Sequence, residues 1–198
     1  MPKEEIAIAL LQDGLDRGEE VALSTLGESM KPLLEPGQAF RVKRVPSGQI
    51  EIGDIVCLED VKQVIVHRVV KIFQRNGERF FITKGDYLFA LDKPVSESRI
   101  LGRVVQIGGL RLDRPFQKML ARVVAHIFYW HYCGYHAFWR IPGMEFLGRL
   151  KQRFFLKKSI FTPLYRGLLW PLYGCLSGNR LICKEERNED KKQTILHR

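Results

Sequence analysis

The chain has 198 residues, apolar side chains at 45% of positions and a formal charge of +10. That length holds one ordinary domain with an appendage, and the apolar content excludes a disordered polyelectrolyte. The charge is local: residues 1–110 carry 15 Lys/Arg against 16 Asp/Glu, residues 111–183 carry 12 against 2, and residues 184–198 carry 5 against 4.

The N-terminal stretch MPKEEIAIALLQDGLDRGEE lacks a basic start followed by a continuous apolar run, so it does not read as a signal peptide. Residues 4–17 predict a short amphipathic helix, with Ile6, Leu10, Leu11 and Leu15 at helical spacing and Gly18 as its stop. Residues 21–110 turn strand-like, with short β-rich runs between Gly, Pro and Asp punctuation. Strands are predicted near Val21–Ser24, Ala39–Val45, Asp54–Leu58, Gln63–Phe73, Arg79–Thr83 and Ile100–Ile107. Asn76-Gly77 separates two of them, and both residues tolerate the positive φ of a tight hairpin.

Pro115 marks a boundary, after which the composition becomes aromatic, basic and helical. In residues 116–141 a polar stripe recurs at steps of three and four: Lys118, Arg122, His126, Tyr129, Cys133, His136 and Arg140. Most of what lies off the stripe is large and apolar, including Phe128, Trp130, Phe138 and Trp139. The segment admits three readings: a helix packed on the β domain, a membrane span, or a helix lying in the bilayer interface. Its Trp, Tyr and Phe with flanking Arg and Lys favour the interface, and three histidines oppose a plain span. A second apolar stretch, 159–176, is broken by Pro163, Arg166 and Pro171, and a charged tail begins at Lys184. The expected organisation is an N-terminal helix (1–19), a mainly β domain (20–110), a basic helical region (111–183) and the tail (184–198), α+β overall.

Cys57, Cys133, Cys175 and Cys183 form no zinc spacing and no CxxC pair, so free thiols in a reduced compartment are expected. His126, Cys133 and His136 share a helix stripe, but no acidic residue or second ligand set accompanies them, and no metal or cofactor is expected.

Three short segments carry the chemistry. In Gly27-Glu28-Ser29-Met30-Lys31-Pro32, Gly and Pro stiffen the backbone around a serine, with Met30 as an apolar plug. In Val66-His67-Arg68-Val69, a histidine sits on a strand, where it is rigidly placed as a base must be. In Thr83-Lys84-Gly85-Asp86-Tyr87, followed by Asp92, a carboxylate can fix an imidazole tautomer and stabilise the imidazolium. With Gly53-Asp54-Ile55-Val56 and Leu101 to Val105 in the same order, residues 20–108 resemble the type I signal peptidase clan. The histidine before Arg-Val resembles the archaeal, endoplasmic-reticulum and small Bacillus branch.

The resemblance implies a β catalytic domain of the signal-peptidase and SOS-repressor-peptidase type. It implies Ser29 as nucleophile, His67 as base, and Asp86 and Asp92 as the two acidic residues; Lys84 reads as a solvated lysine, with a lysine-type base as its alternative. It further implies cleavage of a peptide or leader bound as an extended strand. The chain departs from the family pattern at Gly27, Gln38 and Tyr87, and the N-terminal anchor usual in the family is not seen. The expected partners are a peptide or protein substrate and an anionic membrane surface engaged through 116–158. The expected location is the cytoplasmic side of the membrane, peripheral or integral through the C-terminal region. Alternatives of another class are a non-catalytic peptide-binding module and a nucleic-acid-binding module using Arg140 to Lys158; nucleic acid is the less expected partner.

Overall fold

The computed structural model describes residues 3–60 and 63–138. The expectations for residues 139–198, including the basic cluster from Arg140 to Lys158, the second apolar stretch and the tail, lie outside the described residues. Helix α1 spans Lys3–Asp16. It is followed by β1 (Val21–Ser24), β2 (Ala39–Lys43), β3 (Ile55–Asp60), β4 (Gln63–Arg75), β5 (Glu78–Lys84), β6 (Val95–Ser96), β7 (Ile100–Ile107) and β8 (Leu110–Arg111). Helix α2, Pro115–Phe138, completes the described chain.

Among the described residues the eight strands form one antiparallel sheet, in the order β1-β2-β7-β3-β4-β5-β6, with β8 paired to β7. The sheet therefore bears out a mainly β architecture with two helices. The Asn76-Gly77 turn forms as expected, with φ of 54° and 80°. β6 and β8 were not anticipated; each is two residues long, β6 pairing with Phe80 and Phe81 of β5 and β8 folding back on the end of β7 across Gly108-Gly109. Apolar runs mark the central strands. Ile55 to Leu58 of β3 and Val66 to Val70 of β4 are buried on both faces, because a core lies on one side and a helix on the other. That core is Ile50, Val56, Leu58, Val69, Phe81 and Val95. On α1, Ile8, Leu11 and Leu15 are buried.

β4 organises the molecule. Its first half, Gln63–Arg68, pairs with β3, and its second half, Arg68–Arg75, pairs with β5. A bulge falls where the two halves meet: Val69 opposes Thr83, but Lys71 already opposes Ile82. Bulges bend a strand and re-aim its side chains, often beside functional sites.

α2 packs back onto β4 with Leu120, Val124, Ala125 and Phe128 buried. Gly53 permits this approach: a Cβ there would lie 2.6 Å from the Ala121 carbonyl carbon. Lys71 Nζ donates to Tyr129 Oη at 2.9 Å, and Arg122 and Lys118 reach Glu51 at 3.2 and 3.7 Å. The broad apolar surface expected for this helix is two surfaces. One, carrying Phe128, is buried on the sheet, which corrects the expectation that Phe128 is free for a membrane. The other, Phe116, Met119, Val123, Ile127 and Trp130, is exposed. The polar stripe runs beside the boundary between them. No described helix is long and apolar enough to cross a membrane.

Candidate active site

Successive strand residues face opposite sides of a sheet, and directly opposed residues on neighbouring strands share a face. His67 opposes Val56, and Val69 opposes Thr83, so His67 and Thr83 lie on the core face. Arg68 opposes Ile55 and Lys84, so these lie on the α2 face. The dipeptide His67-Arg68 thus sends one titratable group to each side of the sheet.

On the core face His67 is 5% exposed. Its Nδ1 meets Asp92 Oδ2 at 2.5 Å. The same oxygen accepts the Thr83 hydroxyl at 2.7 Å, and the Asp92 N–H donates to the Thr83 carbonyl at 2.9 Å. A carboxylate on Nδ1 holds the ring proton there and leaves Nε2 as the proton acceptor.

Nε2 points toward Gly85. A Cβ built on Gly85 would lie 3.0 Å from His67 Nε2 and 2.7 Å from the Ser29 carbonyl oxygen. Gly85 therefore leaves room for the Ser29 carbonyl and the imidazole at the place a Cβ would fill. Ser29 is held by a bond from the Tyr87 N–H to its carbonyl, 2.8 Å. Met30, Leu33 and Leu34 of the same segment are buried. The Leu34 N–H to Met30 carbonyl bond (3.1 Å) and the Gly37 N–H to Thr25 carbonyl bond (2.6 Å) close the turn. Gln38 Oε1 accepts the Glu35 N–H at 2.9 Å, which gives the departure at Gln38 a local role. No hydrogen bond joins the Ser29 hydroxyl to His67 among the described residues.

On the α2 face Arg68 and Asp86 are buried and paired through two bonds, Nε to Oδ1 at 2.8 Å and Nη2 to Oδ2 at 2.6 Å. Arg68 Nη1 also donates to the Gly53 carbonyl at 3.0 Å. Asp92, not Asp86, is therefore the carboxylate on the histidine ring, and Asp86 neutralises the neighbouring arginine. Lys84 lies on this side too. Its Nζ donates to the Gly85 and Asp86 carbonyls at 3.0 and 3.4 Å and sits 4.1 Å from the centre of the Phe128 ring. Burial lowers its pKa to about 8, the Asp86 charge working the other way and Arg68 adding to the fall. The lysine considered as an alternative base is thus turned to the helix.

Arg68 and Thr83 were not among the residues singled out as functional. Strand alternation was the available signal, because an arginine beside a strand histidine needs a carboxylate on the opposite face. Cys57 is buried in β3, and burial pushes its thiol up, away from thiolate chemistry. The exposed Phe89 packs edge-on to His131 of α2, ring centres 5.7 Å apart, and extends an apolar rim formed by Tyr87 and Leu88. Burial, with the Lys84 ammonium nearby, holds His131 below its usual pKa.

No family model matches the chain, and no curated protein matches it.

Proposed function

We propose that the chain is a serine endopeptidase of the signal-peptidase type, in which His67 takes the proton of Ser29 as that hydroxyl attacks a peptide carbonyl. The observation that supports this reading is the line Asp92–His67–Gly85–Ser29. A carboxylate fixes one ring nitrogen, and the other lies with the Ser29 backbone at the place a Gly85 Cβ would fill. In enzymes without substrate the nucleophile–base bond is commonly long and closes on binding. The tetrahedral oxyanion would be met by backbone N–H groups, because Gly27 offers no hydroxyl. Asp86 acts through Arg68, holding the strand that carries His67.

The test is cleavage. Extended peptides with small residues at the scissile bond are offered to the full chain and to its Ser29→Ala and His67→Ala variants. The expected result is cleavage by the unaltered chain alone. Binding of those peptides with no cleavage by any form would instead identify a non-catalytic peptide-binding module.

The partner assigned to α2 is an anionic membrane surface. Its exposed row of Phe116, Met119, Val123, Ile127 and Trp130 leads in sequence into the basic stretch that begins at Arg140. Each basic residue near such a surface contributes ~1 kcal/mol. The full chain is expected to sediment with anionic vesicles and to release partly at high salt. A salt-dependent shift with nucleic acid, and none with vesicles, would contradict this assignment.

A further inference from the structure

We infer that Thr83 is the positioning residue of the site, holding Asp92 in the orientation that His67 requires. The inference rests on the peptidase reading and deepens it. Asp92 lies at the end of a loop, and its side chain is 31% exposed, so packing alone does not fix its carboxylate. Thr83 supplies the missing constraints twice over. Its carbonyl accepts the Asp92 N–H, which closes the base of the loop across nine positions, and its hydroxyl donates to Oδ2. His67 Nδ1 uses that same oxygen. Two donors arriving from adjacent strands, β4 and β5, leave the carboxylate one rotation about its terminal torsion.

The threonine is well suited to this. It is fully buried, so its hydroxyl needs a partner. Its branched Cβ restricts χ1, which aims the hydroxyl from a strand whose own position is set by pairing with Val69. The bulge after Val69 matters here too, because it begins just beyond the pair that places Thr83 beside His67 on one face.

Thr83 also tempers the charge that His67 meets. A donor on a carboxylate oxygen draws off part of its negative charge. Without the hydroxyl, the imidazolium faces a more concentrated charge, and acid competes with catalysis at higher pH. The other charged or titratable groups around the loop are Arg68 on β4, Lys84 at the end of β5, Asp86 and Lys93 in the loop and its exit, and His131 on α2. None of them is hydrogen-bonded to the Thr83 hydroxyl, which donates to Asp92.

The experiment measures the rate at which a serine-directed fluorophosphonate labels Ser29 from pH 5 to 9 in the full chain. Thr83→Val keeps the branched shape and the backbone bond but removes the hydroxyl, and Thr83→Ser keeps the hydroxyl and removes the methyl. The expected result for Thr83→Val is a plateau about tenfold lower and an acid limb moved to higher pH, as for a misplaced catalytic group. Thr83→Ser restores both, and the melting temperatures of all three forms are compared alongside. A Thr83→Val protein with the unaltered plateau and limb, beside an inactive His67→Ala, overturns the positioning role and leaves the peptidase reading standing. A deficit that follows the methyl rather than the hydroxyl, or a Thr83→Val chain that does not fold, also overturns it, since packing then accounts for the residue. Labelling of His67→Ala at the unaltered rate defeats the peptidase reading itself.

Discussion

His67 and Arg68 are neighbours on one strand, and each meets an aspartate from the same short loop, yet the two pairs are opposite in character. Arg68–Asp86 has both side chains out of water, two parallel bonds and a third to a backbone carbonyl. Such a pair is costly to desolvate and severe to break, and it suits a fixed brace. His67–Asp92 has a buried ring but a partly exposed carboxylate, and it leaves Nε2 uncommitted to either aspartate. The contrast teaches that strand alternation separates two kinds of pair: one residue step moves from a fully buried, doubly bonded brace to a ring whose second nitrogen lies beside the Ser29 backbone.

The largest expected effect on stability comes from breaking the brace. Asp86→Ala removes both carboxylate bonds from the buried Arg68 guanidinium, and the loss is expected to be about 3–5 kcal/mol in denaturant unfolding. Asp92→Ala, on the partly exposed side, takes the partner from the buried Thr83 hydroxyl and is expected to cost less, about 1–3 kcal/mol, while slowing Ser29 labelling strongly. Equal destabilisation by the two would erase the distinction.

Lys84 sharpens the same comparison through pH. Its folded pKa, about 8, lies below the ordinary lysine value of 10.5, so between these the unfolded chain binds more protons. Stability from this group therefore rises as pH climbs from about 8 to 10.5, and the burial penalty is fully present below 8. The span is at most about 3 kcal/mol, and the Phe128 ring, which favours the ammonium, reduces it by about 0.5–2 kcal/mol. Lys84→Met removes the titration. Unfolding free energies of the two proteins are expected to converge across that window; parallel curves would show a lysine in ordinary solvent. Labelling of Ser29 should persist in Lys84→Met.

The smallest effect is expected at the contact between helix and sheet. Tyr129→Phe removes the acceptor for Lys71 and should cost about 0.5–1.5 kcal/mol by denaturant unfolding. A larger loss would make α2 part of the brace rather than a lid upon it.

Much of this arrangement was legible in the residues. Val21–Ser24 and Ile100–Ile107 were placed to the residue, because turn-forming punctuation bounds them on both sides. β6 and β8 were not, since two residues carry no periodicity; β6 also pairs about fifteen positions back, with Phe80 and Phe81. Asp86 and Asp92 could not be told apart, as both follow Gly85 in one loop. Which of them reaches His67 depends on the register that sets Thr83 opposite Val69 and Lys84 opposite Arg68. On α2 the polar stripe was visible, but not which apolar flank the sheet would cover, because that choice is made by the close approach at Gly53.

The central claim is that Ser29 is a nucleophile served by His67. It is tested most directly by treating the full chain at neutral pH with a serine-directed acylating probe and locating the adduct by mass spectrometry. The account predicts a single adduct on Ser29, slowed by a factor on the order of 10²–10⁴ in His67→Ala while that variant keeps its fold. An adduct on another residue, or equal labelling of folded His67→Ala, would contradict it.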